Sequence, residues 1–544
     1  MKYPIGIQDF EKLRTNGYSY VDKSRFVYKL ATEGEYYFLS RPRRFGKSLF
    51  LSTLEAYFQG KKELFEGLAI YDLETEWKKY PIFHIDLNTA NFREKDSLYT
   101  VLNDYLTTWE SKYGTRESEA TLALRFKGVI ARAAEKEGCG VVILIDEYDK
   151  PILQTLRDPE LQAEHRAQLK AFYSVLKTQD RYIKFAFLTG VTKFGKVSVF
   201  SDLNNLTDIS MDHRYISICG MTEKELLTNF KEGINELAEA NGDTEEATIA
   251  KLKARYDGYH FEENTIGIYN PFSVLNTLSR LRYKDYWFET GTPTFLVDLL
   301  KMHNYRLPDM TKERVSDDVI NSVDSLSTNP IPVIYQSGYL TIKGYDERFK
   351  KYLLGFPNKE VEEGFTLLGV GPMSKTLLTA ALSLAKERDF PLMLIASRNQ
   401  VDSDEFGHGY VCGWDQDRFV KDVEAGHVEQ FMNRLTAFFA DNSYQVAGEA
   451  ELYFQNALYL IFKIMGFHTQ VEIPTSDGRM DVLIQTSDYI YIIECKLDGS
   501  AEEALQQIEV KNYAAPFAMD KRTVVKLGIN FSSKTRGVES WKQR

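Results

Sequence analysis

The chain is poor in the features that mark secreted or membrane proteins. Only four cysteines occur in 544 residues: Cys139, Cys219, Cys412 and Cys495. No two form a CxxC pair, which excludes a zinc-finger spacing or a disulfide framework and fits a reducing compartment. Residues 1–14 lack the apolar core of a secretory signal. No run reaches the roughly 20 apolar residues of a membrane helix; the best, 457–467, is short and carries Lys463. These absences predict a cytoplasmic protein with no membrane partner. A positive excess is missing too: 67 Lys and Arg against 78 Asp and Glu leave −11. That excludes broad, unspecific coating of nucleic acid but leaves room for a local basic groove. Internal repeats and low-complexity tracts are absent.

What is present is a soluble, core-forming composition, 43% hydrophobic and 27% charged. The length predicts more than one domain. Four apolar, β-rich runs (36–40, 82–87, 141–146 and 184–190) alternate with helical patterns such as 48–58, 97–113 and 119–136. Strands alternating with helices predict an α/β domain with a parallel sheet covered on both faces. This P-loop core is assigned to 1–215. Residues 216–345 read as mainly helical (222–241, 245–256, 271–281), a helical lid or winged-helix-like region. Residues 346–445 read as a linker or helical region with a loop at 397–416. From 446 to 544 a second α/β unit is expected: a helix (449–465), a strand pair (480–485, 489–496), a helix (501–513) and a last strand (524–530).

The first strand runs into Ser40-Arg-Pro-Arg-Arg-Phe-Gly-Lys-Ser48 and then a helix. In a phosphate loop, backbone N–H groups and the helix N-terminus cradle phosphates, the lysine reaches the β/γ oxygens, and the serine holds Mg²⁺. Arg43, Arg44, Phe45, Gly46, Lys47 and Ser48 are therefore candidate nucleotide contacts. The usual first glycine is replaced by Arg41, and Pro42 fixes φ, so the loop must turn differently. A solvated basic turn is the competing reading. The run 141–145 is apolar and ends in Asp146-Glu147, where a buried strand meets its ligand. Asp146 and Ser48 are the candidate Mg²⁺ ligands, and Glu147 the residue that polarises the attacking water. Thr189 and Thr192, after the run 185–188, are candidate γ-phosphate sensors.

Asp9-Phe-Glu-Lys-Leu-Arg14, Tyr20-Val-Asp-Lys-Ser24 and Arg41-Pro-Arg-Arg-Phe-Gly-Lys-Ser48 together resemble the bacterial AAA-ATPase-like family. Phe200-Ser-Asp-Leu-Asn-Asn-Leu206 and Tyr256-Asp-Gly-Tyr-His-Phe261 extend the likeness over roughly 1–290. The resemblance implies an AAA-like core that binds ATP, and within the family Arg41 is no anomaly. Hydrolysis stays open.

A hairpin with a two-residue loop at Ser487-Asp488 pairs residues whose numbers sum to 975, which sets Asp481 opposite Glu494. Their Cβ atoms would then lie about 4.5–5.5 Å apart, with Lys496 on the same face. Two opposed carboxylates repel unless a cation such as Mg²⁺ sits between them. Such an ion would supply Lewis acidity to a phosphodiester, with Lys496 orienting the nucleophile. In the competing arrangement Asp481 faces solvent and Glu494 pairs with Lys496.

Asp481 followed by Glu494-Cys495-Lys496 resembles the PD-(D/E)XK nuclease superfamily, with Met480 where its proline is usual. The resemblance implies metal-dependent cleavage of nucleic acid, DNA more than RNA. It assigns Asp481, Glu494 and Lys496 catalytic roles and adds Glu451, or else Glu449, as an upstream acid. Gln507 and Tyr513 resemble its Gln…Tyr element. Residues 521–544 carry seven basic residues against Glu539, either a phosphate-backbone contact or a solvated tail. Three functions remain open: an ATP-controlled nuclease, a nucleotide-dependent switch or defence scaffold with a vestigial nuclease domain, or a mobile-element accessory ATPase. Homo-oligomerisation is open in each.

Overall fold

The computed structural model describes residues 1–156, 158–193, 205–291, 314–320, 330–368, 416–440, 467–474, 478–535 and 537–544, with isolated positions between 454 and 465. Glu451 and Glu449 lie outside the described residues, as do most of 200–206 and the loop expected at 397–416. The chain divides into two compact units, Met1–Glu363 and Gly364–Arg544.

In the first unit five parallel strands form a sheet of order β2-β3-β4-β1-β5. They are β1 (Tyr36–Ser40), β2 (Ile82–Asp86), β3 (Val141–Asp146), β4 (Ile183–Gly190) and β5 (Thr207–Asp208). Every residue of β3 is buried, which is why Val141–Ile145 is uninterruptedly apolar: a parallel strand beneath helices has no wet face. Among the flanking helices, Leu122–Glu137 starts at Thr121, whose side chain accepts the Leu124 N–H, and stops at Gly138.

The middle of this unit is helical, with two departures from expectation, a broken helix and a small antiparallel sheet within 314–355. The helix expected over 222–241 breaks into Glu223–Asn229 and Lys231–Asn241 at Phe230 (φ −128°, ψ 22°). The Phe230 ring is buried with Met221, Leu226, Ile234 and Leu278, so core packing overrides helical continuity. The helices Glu245–Tyr256 and Pro271–Arg280 follow. A small antiparallel sheet of order β6-β8-β7 comes next, from β6 (Arg314–Ser316), β7 (Thr341–Asp346) and β8 (Lys351–Gly355).

The second unit is a mixed sheet of order β13-β12-β11-β10-β9, from β9 (His468–Pro474), β10 (Arg479–Gln485), β11 (Tyr489–Leu497), β12 (Thr523–Phe531) and β13 (Val538–Gln543). Outer strands β9 and β13 have no counterpart in the sequence reading: β9 intersperses polar residues with Val471 and Ile473, and β13 is the charged tail. One face of β11, through Tyr491, Ile493 and Cys495, packs into a large core with the helix Val428–Ala440. The other, through Ile490 and Ile492, packs on Leu505 and Ile508 of the helix Ala501–Val510. That helix starts at a Ser500/Glu503 capping box. It approaches β12 at Gly528, where a Cβ would lie 2.3 Å from the Ala501 carbonyl oxygen.

Candidate functional site

The phosphate loop lies between β1 and the helix Lys47–Phe58, with Gly46 at the N-cap in the left-handed region (φ 94°). A side chain there would strain the entry to the helix. Arg41, in place of a glycine, is turned inward and is 1% exposed. Its guanidinium donates to the carbonyls of Ser40 (2.9 Å), Ser210 (2.6 Å) and Tyr215 (3.4 Å) and stacks 3.9 Å above the Phe261 ring. Burial lowers its pKa to about 10. Phe45 is buried and meets the rings of Tyr259 and Phe261 at 4.8 and 5.8 Å. The Trp287 indole N–H donates to the Arg43 carbonyl (2.9 Å). The loop's shape thus rests on partners far along the chain rather than on glycine freedom.

Lys47 is buried, and its ammonium donates to the carbonyls of Arg41 (3.0 Å) and Pro42 (3.3 Å) and lies 3.6 Å from the Glu147 carboxylate. Asp146 closes β3 near Ser48, whose side chain offsets part of the rise in the Asp146 pKa. Burial, then the Glu147 charge, raises the Asp146 pKa to about 6. Glu147 itself takes a left-handed backbone (φ 53°), an unfavoured conformation for a residue with a side chain. A cavity of about 410 Å³ opens over this turn, lined by Arg43, Arg44, Gly46, Lys47, Ser48 and Glu147 among others. Its cations, the helix start and the Ser48/Asp146 pair fit a nucleotide triphosphate with Mg²⁺.

Thr192 is placed differently from the expectation. It is fully buried and does not line this cavity; its hydroxyl and backbone N–H both donate to Asp149 (2.6 Å each). Asp149, also fully buried, takes the Val191 N–H as well (3.1 Å). It therefore ties the end of β4 to the turn after β3, and Thr192 serves that tie rather than facing the phosphates. Thr189 is buried too, with its hydroxyl unpartnered among the described residues. The sequence reading missed Asp149 although it is the third acid in Asp146-Glu147-Tyr148-Asp149. It also missed Trp287, which carries no local signal.

In the second unit the β10–β11 register pairs Val482 with Ile493, Leu483 with Ile492 and Ile484 with Tyr491, the 975 register. Asp481 is 8% and Glu494 1% exposed, so Asp481 does not face solvent. One Asp481 carboxylate oxygen accepts the Cys495 N–H (2.7 Å). Glu494 accepts at Oε1 from the Gln507 amide, while its buried Oε2 has no hydrogen-bond partner among the described residues. Lys496 Nζ donates to Gln507 Oε1 (2.8 Å) and lies 3.5 Å from Glu494. Both sequence readings thus hold in part: the acids are opposed, and Glu494 also pairs with Lys496. Burial, then the Asp481 charge, pushes the Glu494 pKa up to about 8. An orphaned buried oxygen beside a second carboxylate fits a hard divalent cation. Among the described residues no third His, Cys, Asp or Glu joins them. The basic tail is largely paired: Lys542 and Arg544 meet Glu502, and Lys526 meets Glu509.

A parallel sheet with a loop of phosphate-loop shape and an acidic strand end defines a P-loop-like α/β unit, and the opposed Asp481/Glu494 with Lys496 a nuclease-like one. Comparison agrees: residues 4–200 match the family model for a predicted AAA-ATPase, and 449–541 match that of the PD-(D/E)XK nuclease superfamily. The chain is 34% identical over 548 residues to the "Uncharacterized protein in vnfD 5'region" of Azotobacter chroococcum mcd 1, covering 99% of this chain and 98% of that protein. The chain belongs to the AAA-ATPase-like family and carries a C-terminal PD-(D/E)XK nuclease superfamily domain. No helix among the described residues is long and apolar enough to cross a membrane.

Proposed function

We propose that this protein is a cytoplasmic, ATP-controlled nuclease that cleaves DNA phosphodiesters in its C-terminal domain. The observation that carries the reading is Glu494: a carboxylate buried opposite Asp481, with one oxygen unpartnered among the described residues and Lys496 3.5 Å away. Such an oxygen is costly unless a ligand fills it. Asp481 and Glu494 would hold a divalent cation, which supplies Lewis acidity to the scissile phosphate. Lys496, steered by the Gln507 amide oxygen, orients the nucleophile. In the N-terminal unit Lys47 and the loop N–H groups hold the ATP phosphates, Ser48 and Asp146 hold Mg²⁺, and Glu147 polarises water for hydrolysis. Among the described residues Cys139, Cys219 and Cys495 are free thiols, which suits a reducing compartment.

The test is an assay of plasmid, single-stranded DNA and RNA with Mg²⁺ or Mn²⁺, with and without ATP. Metal-dependent DNA cleavage that responds to ATP is expected. A wild type that cleaves nothing and shows no thermal shift with Mn²⁺ sinks the nuclease reading and leaves a nucleotide-dependent scaffold.

A further inference from the structure

The turn after β3 sends its residues in two directions. Tyr148 and Asp149 are fully buried. The Tyr148 N–H donates to the Thr189 carbonyl (3.1 Å) and its hydroxyl to the Thr192 carbonyl (2.9 Å), while Asp149 holds the end of β4. Glu147 and Lys150 instead line the cavity over the phosphate loop. The left-handed backbone at Glu147 (φ 53°) begins this division, and the Lys150 N–H closes the turn on the Glu147 carbonyl (3.0 Å). Lys150 is outside the nucleotide contacts named above.

The Lys150 ammonium donates to two oxygens of one residue, the Asn88 carbonyl (2.9 Å) and the Asn88 side-chain amide (2.7 Å). Both acceptors are neutral, and Lys150 makes no ion pair among the described residues. An ammonium carries three donors, so one is left for a ligand. Asn88 is itself fixed, its N–H donating to the Asp86 carboxylate (2.7 Å) at the end of β2, the strand beside β3. The charge is therefore presented from two adjacent strand ends. Burial lowers the Lys150 pKa; Glu147 and Asp86 oppose that fall and Arg43 adds to it. Around the cavity stand four cations, Arg43, Arg44, Lys47 and Lys150, against Glu147 alone among its described lining acids. Such an excess in a chain of net charge −11 suits a polyanion.

Water polarised by Glu147 attacks the terminal phosphorus, so that phosphate lies beside Glu147 when ATP is bound. Lys47 approaches Glu147 from the loop, at 3.6 Å, and Lys150 belongs to the turn of Glu147 itself. Arg43 and Arg44 are loop residues, Arg44 lying over the Phe272 ring (5.1 Å). The contact expected of Thr192 is closed off, because its hydroxyl is engaged by Asp149. We infer that Lys150 binds the γ-phosphate of ATP and thereby distinguishes ATP from ADP. This rests on the ATP-binding reading proposed above and names the cation that takes the place of Thr192. The tie through Tyr148 and Asp149, which removes Thr192 from the cavity, is also what holds Lys150 at its wall.

The experiment titrates the full chain, without nucleic acid, by calorimetry with Mg²⁺ and either the β,γ-imido analogue of ATP or ADP. Lys150→Gln keeps an amide donor for Asn88 and removes the charge. It should weaken the triphosphate analogue about tenfold to a hundredfold, the worth of a hydrogen bond to a charged group, and leave ADP within about twofold. Lys150→Arg should keep the preference for the triphosphate, and Lys47→Ala should lose both ligands. If Lys150→Gln folds poorly, as its ligand-free Tm will show, Lys150→Ala carries the same expectation. A lysine that only braces Asn88 predicts parent affinity for both ligands in Lys150→Gln; that result would overturn the γ-phosphate contact and leave the nucleotide site standing. Equal weakening of both ligands would also defeat it, by placing Lys150 on a phosphate that ADP shares. A parent chain that binds neither ligand would bring down the ATP-binding reading and this inference together.

Discussion

Replacing Glu494 by glutamine should stabilise the second unit, by an amount that grows with pH. The carboxyl is buried beside Asp481, and its pKa stands at about 8 against an ordinary 4.5. An acid whose pKa is raised by folding binds its proton more tightly in the folded state. The stability this confers is complete below pH 4.5 and is lost as pH rises through about 8. At 1.36 kcal/mol per pH unit, the loss is about 3 kcal/mol at pH 7 and approaches about 5 kcal/mol above pH 8. The offset from Lys496 is already contained in the value of about 8. The amide keeps the acceptor for Gln507 and cannot ionise. Its unpartnered group matches that of the protonated acid, so the difference between low and high pH isolates the charge. For a unit of this size, about 3 kcal/mol corresponds to roughly 6–12 °C in Tm. Scanning calorimetry of the full chain without metal should show near-equal second-unit transitions at about pH 5. At about pH 7 the variant should melt higher. Mg²⁺ should raise the wild-type transition and leave the variant's nearly unmoved. A Tm difference independent of pH, or a variant that melts lower at high pH, would refute the account of the buried charge.

Lys47→Ala removes the ammonium that would meet the phosphates, and calorimetry should show ATP binding lost; wild-type affinity would disprove the phosphate-site assignment. Glu147→Gln should keep ATP binding while turnover falls by orders of magnitude, as measured by phosphate release. Lys496→Ala should leave Mn²⁺ binding near wild type and abolish DNA cleavage; retained cleavage would remove Lys496 from the chemistry. Trp287→Phe leaves the Arg43 carbonyl without its donor, which should cost about 1–3 kcal/mol of first-unit stability. An unchanged first-unit Tm would show that the indole bond does not brace the loop.

Much of the architecture was readable because it follows local rules. The β10–β11 register follows from a two-residue loop and the two-residue side-chain period, so Asp481 and Glu494 face each other as their numbers require. The parallel sheet was legible from the all-apolar β3, and the loop from Gly46-Lys47-Ser48 ahead of a helix. Strand β13 was not, because its residues alternate weakly and carry charges that become legible only opposite Glu502. The break at Phe230 was not, because helical periodicity runs through it and only the buried cluster around its ring selects the kink.

From the sequence alone came the two chemistries, a phosphate loop and an opposed acid pair, since each lies within a short segment whose spacing sets its geometry. Folding over long separations supplied the rest. Arg41 is buried by partners 169 and 174 residues away, and Trp287 reaches the loop across 244. Thr192 turns from the phosphates to Asp149 because the packing of β3 against β4 brings the two together. The raised pKa of Glu494 belongs to the same class: a carboxylate's charge is set by how much water and which partners surround it, and those are properties of the packed chain.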